Sequence, residues 1–176
     1  MKIQAGQDWL ISSRKKVWTK IILAIFTLGL LAAIFSRYPA QSGSGWYHQL
    51  RQPVFAPPYW LPFIMWTIVY ILMGSSLALI WHVAKEGVNF DIRKKAKIGI
   101  GLFAAHLLFN LIFPILLIGL QRPRVALIDM IILIIFIGIL IWYYYPINRI
   151  ASFLLIPYLI WIFYAAALNI SIIVLN

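Results

Sequence analysis

The sequence predicts an all-α membrane protein, a bundle of five transmembrane helices. Three observations predict it. Five apolar runs reach or approach the roughly 20 residues that a helix needs to cross a bilayer. Hydrophobic residues make up 64% of the 176-residue chain and charged residues only 11%, too few to clothe a soluble surface. The basic residues lie mostly between the apolar runs or at their ends. Helices are the spanning form because they satisfy their own backbone N–H and C=O groups where no water can.

The runs lie at Val17–Phe35, Trp60–Trp81, Ile98–Leu120, Val125–Ile147 and Ile150–Leu175. The first is the shortest, and Lys20 must snorkel from its end. It has a basic leader and an apolar stretch, as a signal peptide has. The leader is long and four spans follow, so it reads as a retained helix. Residues 1–16 form a polar leader and 17–176 one five-helix domain. No remaining segment is long enough to bury a core of its own. In the connection Arg37–Pro58, residues Trp46–Arg51 form a short interfacial helix with Trp46, Tyr47 and Leu50 on one side. Pro57 and Pro58 pre-set the start of the second span. A loop of this length between packed helices is often a lid. The connections 121–124 and 148–149 are so short that spans three, four and five must be antiparallel neighbours.

Net charge is +11. The charge flanks membrane spans, and no separate basic fold exists to hold nucleic acid, so nucleic acid is not an expected partner. Eleven of the fifteen Lys and Arg residues fall on one side of the five-span topology, Lys2 to Lys20, Lys85 to Lys97 and Arg149. Arg37, Arg51, Arg122 and Arg124 fall on the other. The positive-inside rule then places the N-terminus in the cytoplasm and the 37–58 loop outside a cell membrane. Membrane lipids are partners by construction, and the inner basic clusters face anionic headgroups. With no cysteine in the chain, a single cysteine at Ser44 reports topology cleanly. Labelling from the external side is expected; labelling only from the cytoplasmic side reverses the orientation.

Two helices carry one device, Pro62-x-x-x-Trp66 and Pro157-x-x-x-Trp161. A proline bends or splays a helix unless it sits in the first turn. A tryptophan one turn later offers a flat ring on the same face. Side by side, the two could form an aromatic slot for a flat apolar ligand; alternatively the rings fill the core or anchor at the lipid interface.

His106 and Asn110 share a face of the third span and point inward, either as the polar edge of a cavity or as interhelical hydrogen bonders. Asp129 lies about one turn into the fourth span, within reach of Arg122 or Arg124, or of a neighbouring helix. Asn169 lies beside the Trp161 face, and Ala165, one turn after Trp161, leaves room on it. Gly101-x-x-x-Ala105 permits close helix approach. No second His or carboxylate has ligand spacing with His106, so no metal site is expected. No phosphate loop, carboxylate pair or Ser-His-Asp set is present, which argues against hydrolysis.

The run Trp46-Tyr47-x-x-Leu50-x-x-Pro53-x-x-x-Pro57-Pro58, followed by Trp66-Thr67, Tyr70 and Met73-Gly74, resembles the TspO/MBR family, the translocator protein or peripheral benzodiazepine receptor family. Asn110 with Pro114, Ala126 with Asp129, and Pro157-Tyr158-x-x-Trp161 followed by Ala165 and Leu168-Asn169 agree in order. The resemblance covers about residues 17–176. It implies five helices around a cavity closed by the first long loop, and a porphyrin of the protoporphyrin IX type as ligand, with no obligatory cofactor. Some members bind cholesterol or synthetic ligands. The implied roles are a tetrapyrrole-binding sensor or receptor, a light-dependent porphyrin degrader using Trp46 and Trp161, or a carrier. The implied ligand-binding set is Trp46, Tyr47, Phe55, Pro57, Pro58, Trp66, Tyr70, His106, Asn110, Trp161 and Ala165. Family dimers pack through the third span, which implies a homodimer seam at Gly101 and Ala105. The chain departs from the pattern at Phe55, where Trp is common, at His106, where Gln is common, and at Phe113, a frequent Trp. Its tail lacks the Tyr and basic residue of the proposed cholesterol motif.

Overall fold

The computed structural model describes residue 19, residues 45–58 and residues 60–176. Apart from Thr19, the expected first span lies outside the described residues, as does the polar leader. Among those described, the fold is entirely helical. A short α1 (Trp46–Gln49) sits in the loop, at the position expected for an interfacial helix. Then come α2 (Leu61–Glu86), α3 (Phe90–Pro114), α4 (Pro123–Tyr144), α5 (Arg149–Phe153) and α6 (Ile156–Leu175). Four segments are long and apolar enough to cross a bilayer: 61–86, 90–119, 123–144 and 149–175.

Local chemistry explains the boundaries. Pro62 occupies the first turn of α2 and Pro157 the first turn of α6. At that position the missing N–H costs nothing and the fixed φ suits the helix. Neither proline therefore bends a helix from within. Pro157 divides what the hydropathy reads as a single span: α5 ends at Phe153, and the chain turns through Leu154 and Leu155 before α6 begins. Asn148 caps α5, its Oδ1 accepting from the Ala151 N–H at 3.0 Å. The basic segment expected as a connection is mostly helix. α3 begins at Phe90, eight residues before the apolar run, and carries Arg93, Lys94, Lys95 and Lys97 on its first turns. Only residues 87–89 are left to link α2 to α3. Gly87 is required there, because a Cβ would lie 2.6 Å from the Val83 carbonyl oxygen that its own N–H caps. At its far end α3 passes Pro114 and widens into a π-helical turn, Ile115–Gly119. Gln121, at φ 54°, completes the reversal into α4.

α2 packs on α3, α3 on α4 and α4 on α6, as the short connections require. α2 also meets α5, and touches α6 more sparsely. The core is built from Val69, Met73 and Ile80 of α2, Phe103 of α3, Leu133, Ile137, Leu140 and Tyr144 of α4, and Tyr158 and Ile162 of α6. Buried hydroxyls bond the helices together. Ser76 Oγ donates to the Ala151 carbonyl at 2.7 Å, and Ser152 Oγ donates to the Ile141 carbonyl at 2.7 Å. The outward faces are also apolar: Ile128, Ile131, Ile135 and Ile139 on α4, and Ile160, Phe163 and Ile170 on α6. Water would penalise so continuous an apolar exterior; hydrocarbon does not.

The close approach expected at Gly101 occurs two residues earlier. A Cβ at Gly99 would lie 2.9 Å from Tyr144 Cε1, whereas a Cβ at Gly101 would meet nothing within 4 Å. Gly101 is exposed on the outer side of α3 and Ala105 is half-buried, so this pair makes no tight seam among the described residues.

Candidate functional site

The four spanning segments run alternately between two ends. One end carries the 45–58 loop, Arg122 and Arg124. The other carries Lys85, the basic turns of α3 and Arg149. The candidate site lies toward the loop end, and two groups of side chains build it.

The inner group centres on Asn110 of α3, which is buried. Tyr70 of α2 donates its hydroxyl to Asn110 Oδ1 at 2.7 Å. Asn110 Nδ2 donates to the Tyr158 hydroxyl of α6 at 2.9 Å. One amide thus joins three helices and uses both of its ends. The Trp66 ring lies against this triad, with centroids 5.8 Å from Tyr70, 6.3 Å from Tyr158 and 6.4 Å from Phe113. His106, one turn before Asn110, packs edge-on to Tyr158 at 5.4 Å and is fully buried. Neither of its ring nitrogens has a hydrogen-bond partner.

The outer group lies under the loop. Tyr164 of α6 stands 5.3 Å from Trp161 and 6.4 Å from Phe55. Its hydroxyl donates to the Phe55 carbonyl at 2.9 Å, which pins the loop to the middle of α6. A second tie sits at the end of that helix. The Arg51 N–H donates to Asn176 Oδ1 at 2.9 Å, and Asn176 Nδ2 returns a bond to the Arg51 carbonyl at 3.2 Å. Gln52 Nε2 donates to the Tyr47 carbonyl and closes the loop on itself. Trp46 and Tyr47 are half-buried, their rings 6.4 Å apart. Burial pushes the Tyr47 phenol above its ordinary value, and the Tyr164 phenol adds a smaller push in the same direction.

Of the residues expected at the site, Trp66, Tyr70, His106 and Asn110 meet in the inner group. Phe55 and Trp161 join the outer one through Tyr164. Trp46 is held beside Tyr47. Pro57 is half-buried, and exposed Pro58 offers its carbonyl to the Leu61 N–H at 2.9 Å. Ala165 is half-buried and packs against the core. Trp66 and Trp161 are not in ring contact with each other. The ring facing Trp66 from α6 is Tyr158, one turn before Trp161. Sequence reasoning left Tyr158 and Tyr164 out of the site. The available signal was position, since they flank Trp161 three residues to either side and share its face.

Asp129 makes no ion pair with Arg122 or Arg124, both of which stay exposed. It is buried, and its Oδ2 is without a partner. Asn169 bonds between helices, its Nδ2 donating to the Pro123 carbonyl at 3.0 Å, while its Oδ1 is unused. With His106 and Trp161 Nε1, these atoms are, among the described residues, the buried side-chain donors and acceptors without a hydrogen-bond partner. Among the described residues no cluster of three potential metal ligands occurs.

Spanning helices with an apolar exterior, and an aromatic, hydrogen-bonding interior strapped over by a loop, define a multi-pass membrane protein. Sequence comparison gives the family. The TspO/MBR family pattern matches residues 21–175, and the chain belongs to that family. It is 39% identical to the tryptophan-rich protein TspO of Archaeoglobus fulgidus over 155 residues, covering 88% of this chain and 94% of the relative. It is 32% identical to the Chlorobaculum tepidum protein of the same name over 160 residues, 89% of this chain and 98% of that one. The translocator protein of Bos taurus is 32% identical over 97 residues, about half of each chain.

Proposed function

We propose that this protein binds a porphyrin of the protoporphyrin IX type between its helices and acts as a tetrapyrrole sensor or regulator in the cell membrane. One observation carries the reading: the Tyr70–Asn110–Tyr158 triad, flanked by Trp66 and His106 and lying below a loop tied to α6. A flat macrocycle offers an apolar face to Trp66 and Trp161 and polar groups at its edge. The unengaged His106 nitrogens, Asp129 Oδ2 and Trp161 Nε1 supply matching hydrogen-bonding capacity. Trp46 and Tyr47 close the site from the loop.

A second reading, light-dependent degradation of the porphyrin, is favoured by the adjacent Trp161 and Tyr164 rings, tilted at 30° with centroids 5.3 Å apart. A protein that only senses needs no such redox-active pair beside the ligand. A homodimer through the exposed face of α3, around Gly101 and Ala105, and a cytoplasmic N-terminus complete the proposal.

Fluorescence titration of the purified protein with protoporphyrin IX tests it. Stacking by one ring is worth about 1 kcal/mol, so Trp46→Phe, Trp66→Phe and Trp161→Phe should each weaken binding modestly, by no more than about fivefold. Tyr158→Ala removes a wall and a hydrogen bond together and should weaken it more. If every variant binds like the parent, the aromatic site is rejected. Absorbance of products under illumination separates the two readings. Turnover lost in Trp46→Phe and Trp161→Phe marks a degrader; saturable binding without turnover marks a sensor.

A further inference from the structure

The end of the bundle opposite the loop carries a recess of about 850 Å³, apart from the proposed porphyrin site. That volume falls within the roughly 300–1,000 Å³ of ligand sites. Its apolar wall comes from Gly138, Ile141 and Trp142 of α4, Phe153 of α5 and Leu159 of α6. Tyr145 and Pro146 form the rim where the chain leaves the bundle, and Lys95 of α3 stands at the edge. The Arg149 guanidinium lies over the Tyr145 ring, 5.3 Å from its centroid. No acidic residue lines the recess. Of the two acidic side chains described at this end, Glu86 pairs with His82 and Asp91 sits in the first turn of α3.

The recess therefore has two parts at two depths. At 1.5 Å per residue, the seven steps from Tyr145 to Gly138 carry its apolar wall roughly 10 Å inward from the basic end. Gly138 keeps that inner end open, since a Cβ there would meet nothing within 4 Å. The cations, by contrast, stand at the depth of the headgroups, where Trp142 and Tyr145 are exposed as interfacial aromatics. An apolar trough with Lys95 on its lining and Arg149 behind the rim ring of Tyr145 matches one chemistry, an acyl chain joined to an anionic headgroup. We infer that this recess binds an anionic glycerophospholipid, its acyl chain along Gly138, Trp142 and Leu159 and its phosphate at the edge formed by Lys95 and Arg149. A zwitterionic lipid offers the same chains without the net charge, so it fills the trough more weakly.

Native mass spectrometry of the full chain tests this with phosphatidylglycerol and phosphatidylcholine of identical acyl chains. Phosphatidylglycerol should be retained preferentially. Lys95→Gln and Arg149→Gln should each reduce its retention about fivefold and leave phosphatidylcholine unchanged. Gly138→Leu should reduce retention of both lipids, because its side chain enters the trough. Its Cβ meets no described protein atom within 4 Å, and circular dichroism should show the helix content of the parent. Lys85→Gln removes a cation from the same end of the bundle, beside Trp81 and outside the recess, and should change nothing. Equal retention of the two lipids by the parent overturns the proposal. So does a loss in Lys85→Gln as large as that in Lys95→Gln, which indicates diffuse surface charge. So does full retention in Gly138→Leu, or a recess closed by a second copy of the chain and released only on dissociation of the dimer.

Discussion

Replacing Asn110 with leucine is expected to destabilise the bundle by about 2–4 kcal/mol, the largest effect of any single polar substitution in the interior. Two hydrogen bonds are lost, one to Tyr70 and one to Tyr158, and both hydroxyls are left buried. Interhelical hydrogen bonds in membrane proteins average only about 0.6 kcal/mol and reach about 1.7. The stranded hydroxyls add the cost of burying a polar group unpaired, about 1–3 kcal/mol each where no alternative partner is in reach. Tyr70→Phe provides the comparison. It removes a single bond, keeps the ring beside Trp66, and should cost about 1 kcal/mol or less. Unfolding in sodium dodecyl sulfate, followed by circular dichroism, measures both. If Asn110→Leu matched Tyr70→Phe, the triad would not act as a unit. Porphyrin titration of the same two variants then shows whether the triad also orders the ligand site.

A contrast between Gly99→Leu and Gly101→Leu should produce the second large effect. At Gly99 even the Cβ would approach Tyr144 Cε1 to 2.9 Å and Tyr143 Cε1 to 3.4 Å. Tyr144 cannot swing aside freely. It is fully buried, and its hydroxyl donates to the carbonyl of Gly99 itself at 3.1 Å. Leucine must therefore push α3 from α4 or break that bond, at a cost of about 3 kcal/mol. At Gly101 the same substitution meets open space, and the stability of the single chain should stay within about 0.5 kcal/mol of the parent. Any effect of Gly101→Leu belongs to contacts beyond the described residues. Loss of dimer in detergent, seen by light scattering with unfolding unchanged, supports the proposed seam around Gly101 and Ala105. An unchanged oligomer removes it.

The same two glycines show where sequence reading stops. Small-residue spacing picks out Gly101 and Ala105, because two small residues four apart lie on one helix face. Which face meets a neighbour within the chain depends on helix rotation, and apolarity cannot report rotation when lipid and core are equally apolar. The buried and lipid-facing sides of α4 are both rich in isoleucine and leucine. Polar residues are better informants, because hydrocarbon penalises their exposure from any direction. His106 and Asn110 are expected to point inward on that ground, and both are buried; Asp129, expected to pair with an arginine or bond to a neighbouring helix, is buried as well. Their partners were not legible. Asp129 had two arginines within sequence reach and pairs with neither, since Arg122 and Arg124 gain more from water than from burial. Asn110 found Tyr70 and Tyr158, residues 40 and 48 positions away.

The sequence by itself determined the class of protein, the existence and approximate place of four spanning segments, the antiparallel order of the last three, and a short helix beginning at Trp46 in the loop. These follow from hydropathy, run length, proline position and loop length, all of them local quantities. It also pointed to the family, through motifs spread along the chain. Only the tertiary structure decided that Pro157 divides a span in two, and that α3 carries its basic cluster as helix. It alone placed Tyr158 opposite Trp66, tied the loop to Tyr164 and Asn176, and opened a recess beside Lys95 and Arg149. Each of those depends on how helices rotate about their axes and which side chains they bring together across long separations. In a membrane that choice rests on packing and a few hydrogen bonds, and a run of apolar residues encodes neither.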